Sequence, residues 1–161
     1  MPIRRLAVLT LLLLMVGGTA SAASVSGSGA LALAALVAEP SPLLPPGEKA
    51  VMARLLNGIL TFAFPANRTI SVKADKIVCR ASNVDISFHS CALTFRSKTI
   101  NLKGRRAHEL FAIVGEVGVP PDGAAGTMFE ALSHLDCTIN PHEIQQKAGG
   151  GASCSFDPGA N

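Results

Sequence analysis

The chain has 161 residues, with 14 lysines and arginines against 11 aspartates and glutamates, giving a formal net charge of +3. This length suits a single domain, and the small basic excess cannot supply the dense positive face that nucleic-acid binding requires. The absence of Trp and Tyr argues against sugar sites and single-strand nucleic-acid sites, which usually stack their ligands on aromatic rings.

Residues 1–22 have the regions of a secretory signal peptide. Arg4 and Arg5 form a short basic region, Leu6–Val16 is apolar apart from one threonine, and small residues precede a cleavage position after Ala22. The apolar run has 11 residues, whereas a membrane-spanning helix needs about 20. We therefore expect an exported protein of the periplasm or the extracellular space, with no transmembrane segment after cleavage of the signal.

Residues 23–46 predict a Ser/Gly/Pro-rich tether. Ser24–Gly29 is rich in serine and glycine, and Leu31–Ala38 is an Ala/Leu run with room for one or two helical turns. Four prolines then exclude regular structure; they are Pro40, Pro42, Pro45 and Pro46. The predicted organisation is a signal peptide over 1–22, a tether over 23–46 and a single small domain over 47–161.

The first part of this domain predicts a helix followed by a short strand. Apolar residues recur at helical spacing over Glu48–Asn57, and Gly58 follows as a stop signal. Leu60, Phe62 and Phe64 then alternate with other residues up to a proline, which is typical of a short strand.

The middle of the chain predicts an antiparallel β-meander with one buried face, because apolar and polar residues alternate in five successive runs. The apolar members are Ile70 and Val72; Ile77, Cys79 and Ala81; Val84, Ile86 and Phe88; Cys91, Leu93 and Phe95; and Ile100 and Leu102. Ser82-Asn83 and His89-Ser90 fall between runs and predict tight turns.

The four cysteines predict two structural disulfides, because an even number in an oxidising compartment favours pairing. Of the three possible pairings we favour Cys79–Cys91 and Cys137–Cys154, since each pair is close in sequence and flanks strand-like residues. Simple adjacent hairpins would put Cys79 and Cys91 two strands apart, about 10 Å, which is too far for a disulfide. The first pair therefore requires a bulge, a bend or a different strand order. The short C-x2-C spacing of zinc and redox sites is absent.

Two helices and a closing pair of strands are predicted to follow. The first helix spans Arg105–Val117, and the second begins at an N-cap, Asp122, and ends near His134. Their inward stripes are Ala107, Leu110, Phe111, Val114 and Val117, then Ala125, Met128, Phe129 and Leu132. Strands are expected over 136–140 and 152–156. Because strands and helices are segregated, the sequence predicts an α+β fold, an antiparallel β-meander packed against two or three helices and stabilised by disulfides.

The four histidines are the first candidates for catalysis or metal binding, yet each has a structural interpretation. His89 falls in a predicted turn, His108 at the boundary of a helix face, and His134 at a helix end. His134, Asp136 and His142 have the residue types of a zinc site without a compact ligand spacing. No nucleophile elbow or phosphate loop occurs. We therefore predict no catalytic, cofactor-binding or metal-ligating residue, and no cofactor.

A basic cluster at the predicted junction of strand and helix comprises Lys98, Lys103, Arg105 and Arg106. It suits an acidic partner, an anionic lipid or an anionic polymer, and it also suits an ordinary solvated junction.

These observations favour an extracytoplasmic binding, inhibitor or accessory module that acts through its surface on an unknown protein or envelope component, rather than an enzyme. One alternative is a small secreted hydrolase whose histidine and carboxylate groups are assembled by the fold, and another is a stability-type envelope protein for which only the surface matters. A concave pocket that gathers two or more of the candidate groups would favour the hydrolase, and a flat or convex apolar patch would favour binding. The candidate groups are His89, His108, His134, His142, Glu109 and Asp136.

Overall fold

The computed structural model of the chain describes residues 22–59, 63–82, 85–116, 127–147 and 149–158. Within these ranges the chain forms four α-helices and one six-stranded sheet, which confirms the predicted α+β class. The strands are β1 (Ala23–Ser26), β2 (Ile70–Ser82), β3 (Ser90–Phe95), β4 (Lys98–Lys103), β5 (Thr127–Ile139) and β6 (Ala152–Pro158). The helices are α1 (Gly27–Ala38), α2 (Pro46–Leu56), α3 (Arg105–Glu116) and α4 (Pro141–Gln146).

The sheet has the strand order β1-β6-β5-β2-β3-β4, and every neighbouring pair is antiparallel. Buried and exposed side chains alternate along β2, β3 and β6, so one face of the sheet is buried and the other meets solvent. α1 and α3 pack on the buried face, and α2 packs on α1. α4 connects β5 to β6.

The first part of the predicted tether belongs to the fold, so that prediction is wrong over 23–38. β1 pairs with β6 along its whole length, and α1 buries Ala30, Leu33 and Val37 completely. The stretch from Leu33 to Ala38 is buried on every side, and a helix that is hydrophobic all round shows no amphipathic period. The folded unit therefore starts well before residue 47.

α2 agrees with the helix predicted over 48–57, although it begins at Pro46. Proline is well suited to the first helical position, since the missing N–H has no intrahelical partner there. The short strand predicted from Leu60 to Phe64 is not observed at its described end, where Phe64 is a buried non-strand residue. Leu60 and Phe62 lie outside the described residues.

The strand predicted over 84–88 is wrong, because Ile86–Phe88 forms a single 3-10 turn. The side chain of Asp85 caps this turn by accepting a hydrogen bond from the backbone N–H of Ser87 at 2.8 Å. Val84 lies outside the described residues. The connection between β2 and β3 therefore contains no intervening strand where it is described, and the two strands are direct neighbours.

Both predicted disulfides are confirmed. Cys79 lies directly opposite Cys91 in the β2–β3 register, and Cys137 lies opposite Cys154 in the β5–β6 register. Each pair is bonded, with a distance of 4.0 Å between the two Cα atoms. The separation of about 10 Å expected for a simple meander does not arise, because the predicted intervening strand is a turn.

The helix predicted from Asp122 to the region of His134 is wrong where it is described, because Thr127–Ile139 forms β5. Asp122 itself lies outside the described residues. A bulge interrupts the β5 pairing, and His134 takes a positive φ of 51° there. As a result Leu132 and Leu135 are both buried although they are three residues apart, a spacing that imitates a helical stripe.

α3 confirms the first helix predicted after the meander. Ala107, Leu110 and Val114 are fully buried, whereas Phe111 lies at the edge of the stripe and is half-buried. Val117, the last member of the predicted stripe, lies outside the described residues.

Candidate functional site

The face of the sheet opposite α1 and α3 is exposed to solvent, and we call it the open face. Six strands spaced by about 4.8 Å make it roughly 24 Å wide. The paired registers align hydroxyl-bearing and charged side chains across the strands. Exposed members include Ser71, Lys73, Lys76, Arg80, Thr99, Asn101, Lys103, Thr138, Ser153 and Ser155.

The half of the open face formed by β2, β3 and β4 is basic. Arg80 lies opposite Ser90, which in turn lies opposite Lys103, and Lys76 lies four residues before Arg80 on β2. Lys76 and Lys103 have no ion-pair partner among the residues that the structure describes. The neighbouring Lys73 is instead neutralised by an aspartate of β5, with 2.6 Å between its Nζ and the carboxylate oxygen.

The centre of this half is apolar and made of small residues. Val78 of β2 lies directly opposite Ala92 of β3, and both side chains are half-exposed. Polar side chains flank this centre along both strands, with Lys76 and Arg80 on β2 and Ser90 and Thr94 on β3. The open face thus combines a small apolar centre with a polar, basic margin.

The predicted basic cluster is divided by the fold. Lys103 lies on the open face, whereas Lys98 lies opposite the buried Phe95 and so belongs to the other side of β4. Arg105 pairs with a glutamate one helical turn later, at 3.1 Å between Nε and the carboxylate oxygen. Arg106 forms an ion pair with the glutamate that follows α1. Two of the four cations are therefore paired.

A cleft of about 760 Å³ lies between α1, α2 and α3, on the helical side of the molecule. Its charged side chains bind one another: Arg106 pairs with Glu39, and Arg105 pairs with Glu109. Lys49 Nζ donates to the backbone carbonyl of Glu39 at 3.0 Å. Of the six groups considered for a hydrolase, the cleft contains Glu109 alone.

Two histidines meet where α3 begins. The Nδ1 atoms of His89 and His108 are 3.2 Å apart, and Nε2 of the buried His89 lies 2.9 Å from the backbone carbonyl oxygen of Ser82. The Phe111 ring packs edge-on against His89, with 6.0 Å between ring centroids. The two histidines are 19 residues apart in sequence, so no short motif identifies them as neighbours.

The other predicted metal candidates do not come together. Nδ1 of His134 is 2.8 Å from a carboxylate oxygen of Asp157, and Asp136 pairs with a lysine of β2. Nδ1 of His142 lies 2.8 Å from the backbone oxygen of Phe64. In the described part of the chain, no three His, Cys, Asp or Glu side chains form a metal-binding group.

Glu130 is an ionisable group on the buried face of the sheet. Its side chain is 3% exposed, and its Oε2 atom has no hydrogen-bond partner among the described residues. α3 approaches it through Gly115, where an added Cβ would lie 2.8 Å from the Glu130 Oε1 atom. Loss of hydration on burial raises the pKa of Glu130 from 4.5 to about 7. Sequence analysis misses this residue, because it places position 130 in a predicted helix and outside the inward stripe of that helix.

No family model, curated protein or solved structure matches the chain. Within the described ranges, no helix combines the length and apolarity needed to cross a membrane. A function must therefore be argued from the surfaces and side-chain groups of this chain.

Proposed function

We propose that the protein is an extracytoplasmic binding module that contacts its partner through the open face of the sheet. The observation that carries this proposal is the one-sided covering of the sheet: α1 and α3 pack on one face, while the other presents exposed side chains from its strands. A half-exposed apolar centre at Val78 and Ala92, flanked along both strands by polar groups, has the organisation of a protein interface.

The charge of the open face favours an acidic partner, either a protein or another envelope component. Lys76, Arg80 and Lys103 bring three cations to one half of the face. Opposite charge on a partner would speed association and make it sensitive to salt.

Export is supported by two features of the chain. The amino-terminal residues have the pattern of a signal peptide, and the fold contains two disulfides, which persist in oxidising compartments. β1 begins at Ala23, so cleavage after Ala22 would leave this edge strand intact.

A binding role fits the described geometry better than a hydrolase. In the cleft between the helices, Arg105 and Arg106 are each paired with a glutamate, and the cleft is lined by none of the four histidines. A hydrolase would need an acid–base pair that faces a substrate pocket.

The test is charge reversal on the open face. We expect Lys76→Glu combined with Lys103→Glu to reduce capture of the partner from an envelope extract at least tenfold, and wild-type capture to weaken as salt is raised. The matched control is Lys98→Glu with Lys147→Glu, which makes the same change in net charge at exposed residues outside the open face. Equal capture by the open-face variant and the control would contradict the proposal.

A further inference from the structure

The backbone holds His89 and His108 in a fixed relation to each other. His89 precedes β3, and its carbonyl oxygen accepts a hydrogen bond from the N–H of Gly104 at 3.0 Å. The carbonyl of Gly104 in turn accepts from the N–H of His108 at 2.9 Å. Gly104 has a positive φ of 59°, which glycine adopts without a steric penalty. This turn therefore sets the two rings side by side, with their planes tilted, before any ligand arrives.

Hydrogen bonding fixes which nitrogen of His89 is available to a ligand. A backbone carbonyl can only accept, so Nε2 of His89 must carry the proton that it donates to Ser82. In the neutral ring Nδ1 then has a free lone pair, and it points towards Nδ1 of His108. Metal-binding histidines commonly donate their other ring N–H to a carbonyl in this way, which fixes the tautomer and the ring orientation.

The spacing of the two nitrogens suits a single cation. Two imidazole nitrogens that lie 2.0–2.1 Å from one metal ion, at angles of 90–110°, are about 2.9–3.4 Å apart. The observed distance between the His89 and His108 Nδ1 atoms is 3.2 Å, with ring centroids 4.9 Å apart and planes inclined by 55°. A metal ion that replaced the proton shared between these atoms would lie off the line that joins them, so each ring would turn to direct its lone pair at the ion.

The pair is open to solvent on the side of His108. His108 is half-exposed, so water can reach the remaining coordination positions. The buried side of His89 is closed by the Phe111 ring.

We infer that His89 and His108 form a two-histidine binding site for a divalent first-row transition metal, with Cu²⁺ the tightest ligand and water completing the coordination. Imidazole nitrogen suits copper, zinc and nickel, and affinity in such sites generally rises towards Cu²⁺. The site lies beneath the start of α3 and does not depend on the open face or on its partner.

The test is copper titration of the purified, untagged and metal-free protein, followed by calorimetry and electron paramagnetic resonance. We expect one Cu²⁺ per chain, a spectrum that shows two imidazole nitrogens, and weaker binding of Zn²⁺ at the same site. His108→Gln should weaken copper binding at least tenfold and remove one imidazole from the spectrum, and His89→Gln should do the same. His108 is the decisive position, because it is half-exposed and its replacement preserves the buried core.

The matched controls are His134→Gln and His142→Gln, whose rings contact Asp157 and a backbone carbonyl elsewhere in the fold. Both should bind copper as the wild type does. Wild-type affinity in His108→Gln, loss of binding in a control variant, or a spectrum with fewer than two imidazole nitrogens would each overturn the inference.

Discussion

At the scale of single residues, the buried carboxyl group of Glu130 couples the stability of the fold to pH. Burial raises its pKa to about 7 from 4.5, so between these values the folded state holds a proton that the unfolded state has released. Stability must therefore fall as pH rises through this window, and the loss is complete above the folded pKa. A shift of this size corresponds to at most about 3 kcal/mol.

Glu130→Gln isolates this effect, because glutamine has nearly the same shape and cannot ionise. We expect the free energy of unfolding of the variant, relative to wild type, to increase from pH 5 to pH 8 by about 1–3 kcal/mol. Urea denaturation followed by circular dichroism measures it at each pH. Glu48→Gln, at the start of α2 on the molecular surface, is the control and should preserve the wild-type pH profile. If the free energies of unfolding of variant and wild type differ by the same amount at pH 5 and at pH 8, Glu130 is hydrated in the folded protein and the prediction is wrong.

At the scale of secondary-structure elements, β1 and α1 supply part of the sheet and of the buried core. β1 extends the sheet beyond β6, and α1 lies in the core with Ala30, Leu33 and Val37 at zero exposure. Loss of one buried leucine typically costs about 2–5 kcal/mol, and a small domain has only about 5–15 kcal/mol of stability. Removal of the whole helix exceeds that margin.

We therefore expect a chain that starts at Gly47 to be unfolded, and a chain that starts at Ala23 to melt cooperatively. Dispersion of amide resonances in NMR spectra and circular dichroism melting distinguish the two outcomes; the chain has no Trp or Tyr to report by fluorescence. Leu33→Ala in the longer chain should remain folded with a lower melting temperature. Cooperative melting of the shorter chain at the temperature of the longer one would show that α1 contributes little to the core.

The contrast between α3 and the missed elements shows which parts of this fold are visible in the sequence. α3 has buried residues on one side only, at positions 107, 110 and 114, and this spacing marks a helix directly. α1 is buried all round and lacks such a period, and the β5 bulge gives two buried leucines a helix-like separation. In both elements the spacing of apolar residues reflects the tertiary packing of that element rather than the regular period of a helix or a strand. A prediction from local periodicity therefore assigns the wrong structure.

The candidate sites are harder to predict from the sequence than the disulfides, because their residues are brought together by the fold and not by closeness along the chain. Cys79 and Cys91 are close in sequence and joined by one turn, so proximity along the chain predicts their pairing. His89 and His108 come together only because the chain between them runs out along β3, returns along β4 and turns at Gly104. The open face likewise exists only once the strand order is known. Sequence periodicity predicts which residues of a strand share a face, and it does not say whether a helix covers that face.

At the scale of the whole molecule, the two disulfides tie the central strand pair to its neighbours. Cys79–Cys91 joins β2 to β3 across 12 residues, and Cys137–Cys154 joins β5 to β6 across 17 residues. In the chain-entropy description, loops of this length contribute about 3 kcal/mol each. Together they contribute about 6 kcal/mol, a large part of the roughly 5–15 kcal/mol available to a small domain. We therefore expect reduction of the disulfides to destabilise the folded state strongly.

Production of the chain in two compartments tests this dependence. The exported protein should begin at Ala23 by intact mass and contain no titratable thiol under denaturing, non-reducing conditions. The same chain without residues 1–22, made in a reducing cytosol, should carry four free thiols and melt about 20 °C lower, as expected for a loss near 6 kcal/mol. Replacing one cysteine pair by alanine, either Cys79 with Cys91 or Cys137 with Cys154, should lower the melting temperature by about half as much. A variant that lacks all four cysteines should melt at the same temperature with or without reductant. Free thiols in the exported protein, or equal melting of its oxidised and reduced forms, would show that the fold does not need the disulfides and would remove the main structural support for an extracytoplasmic role.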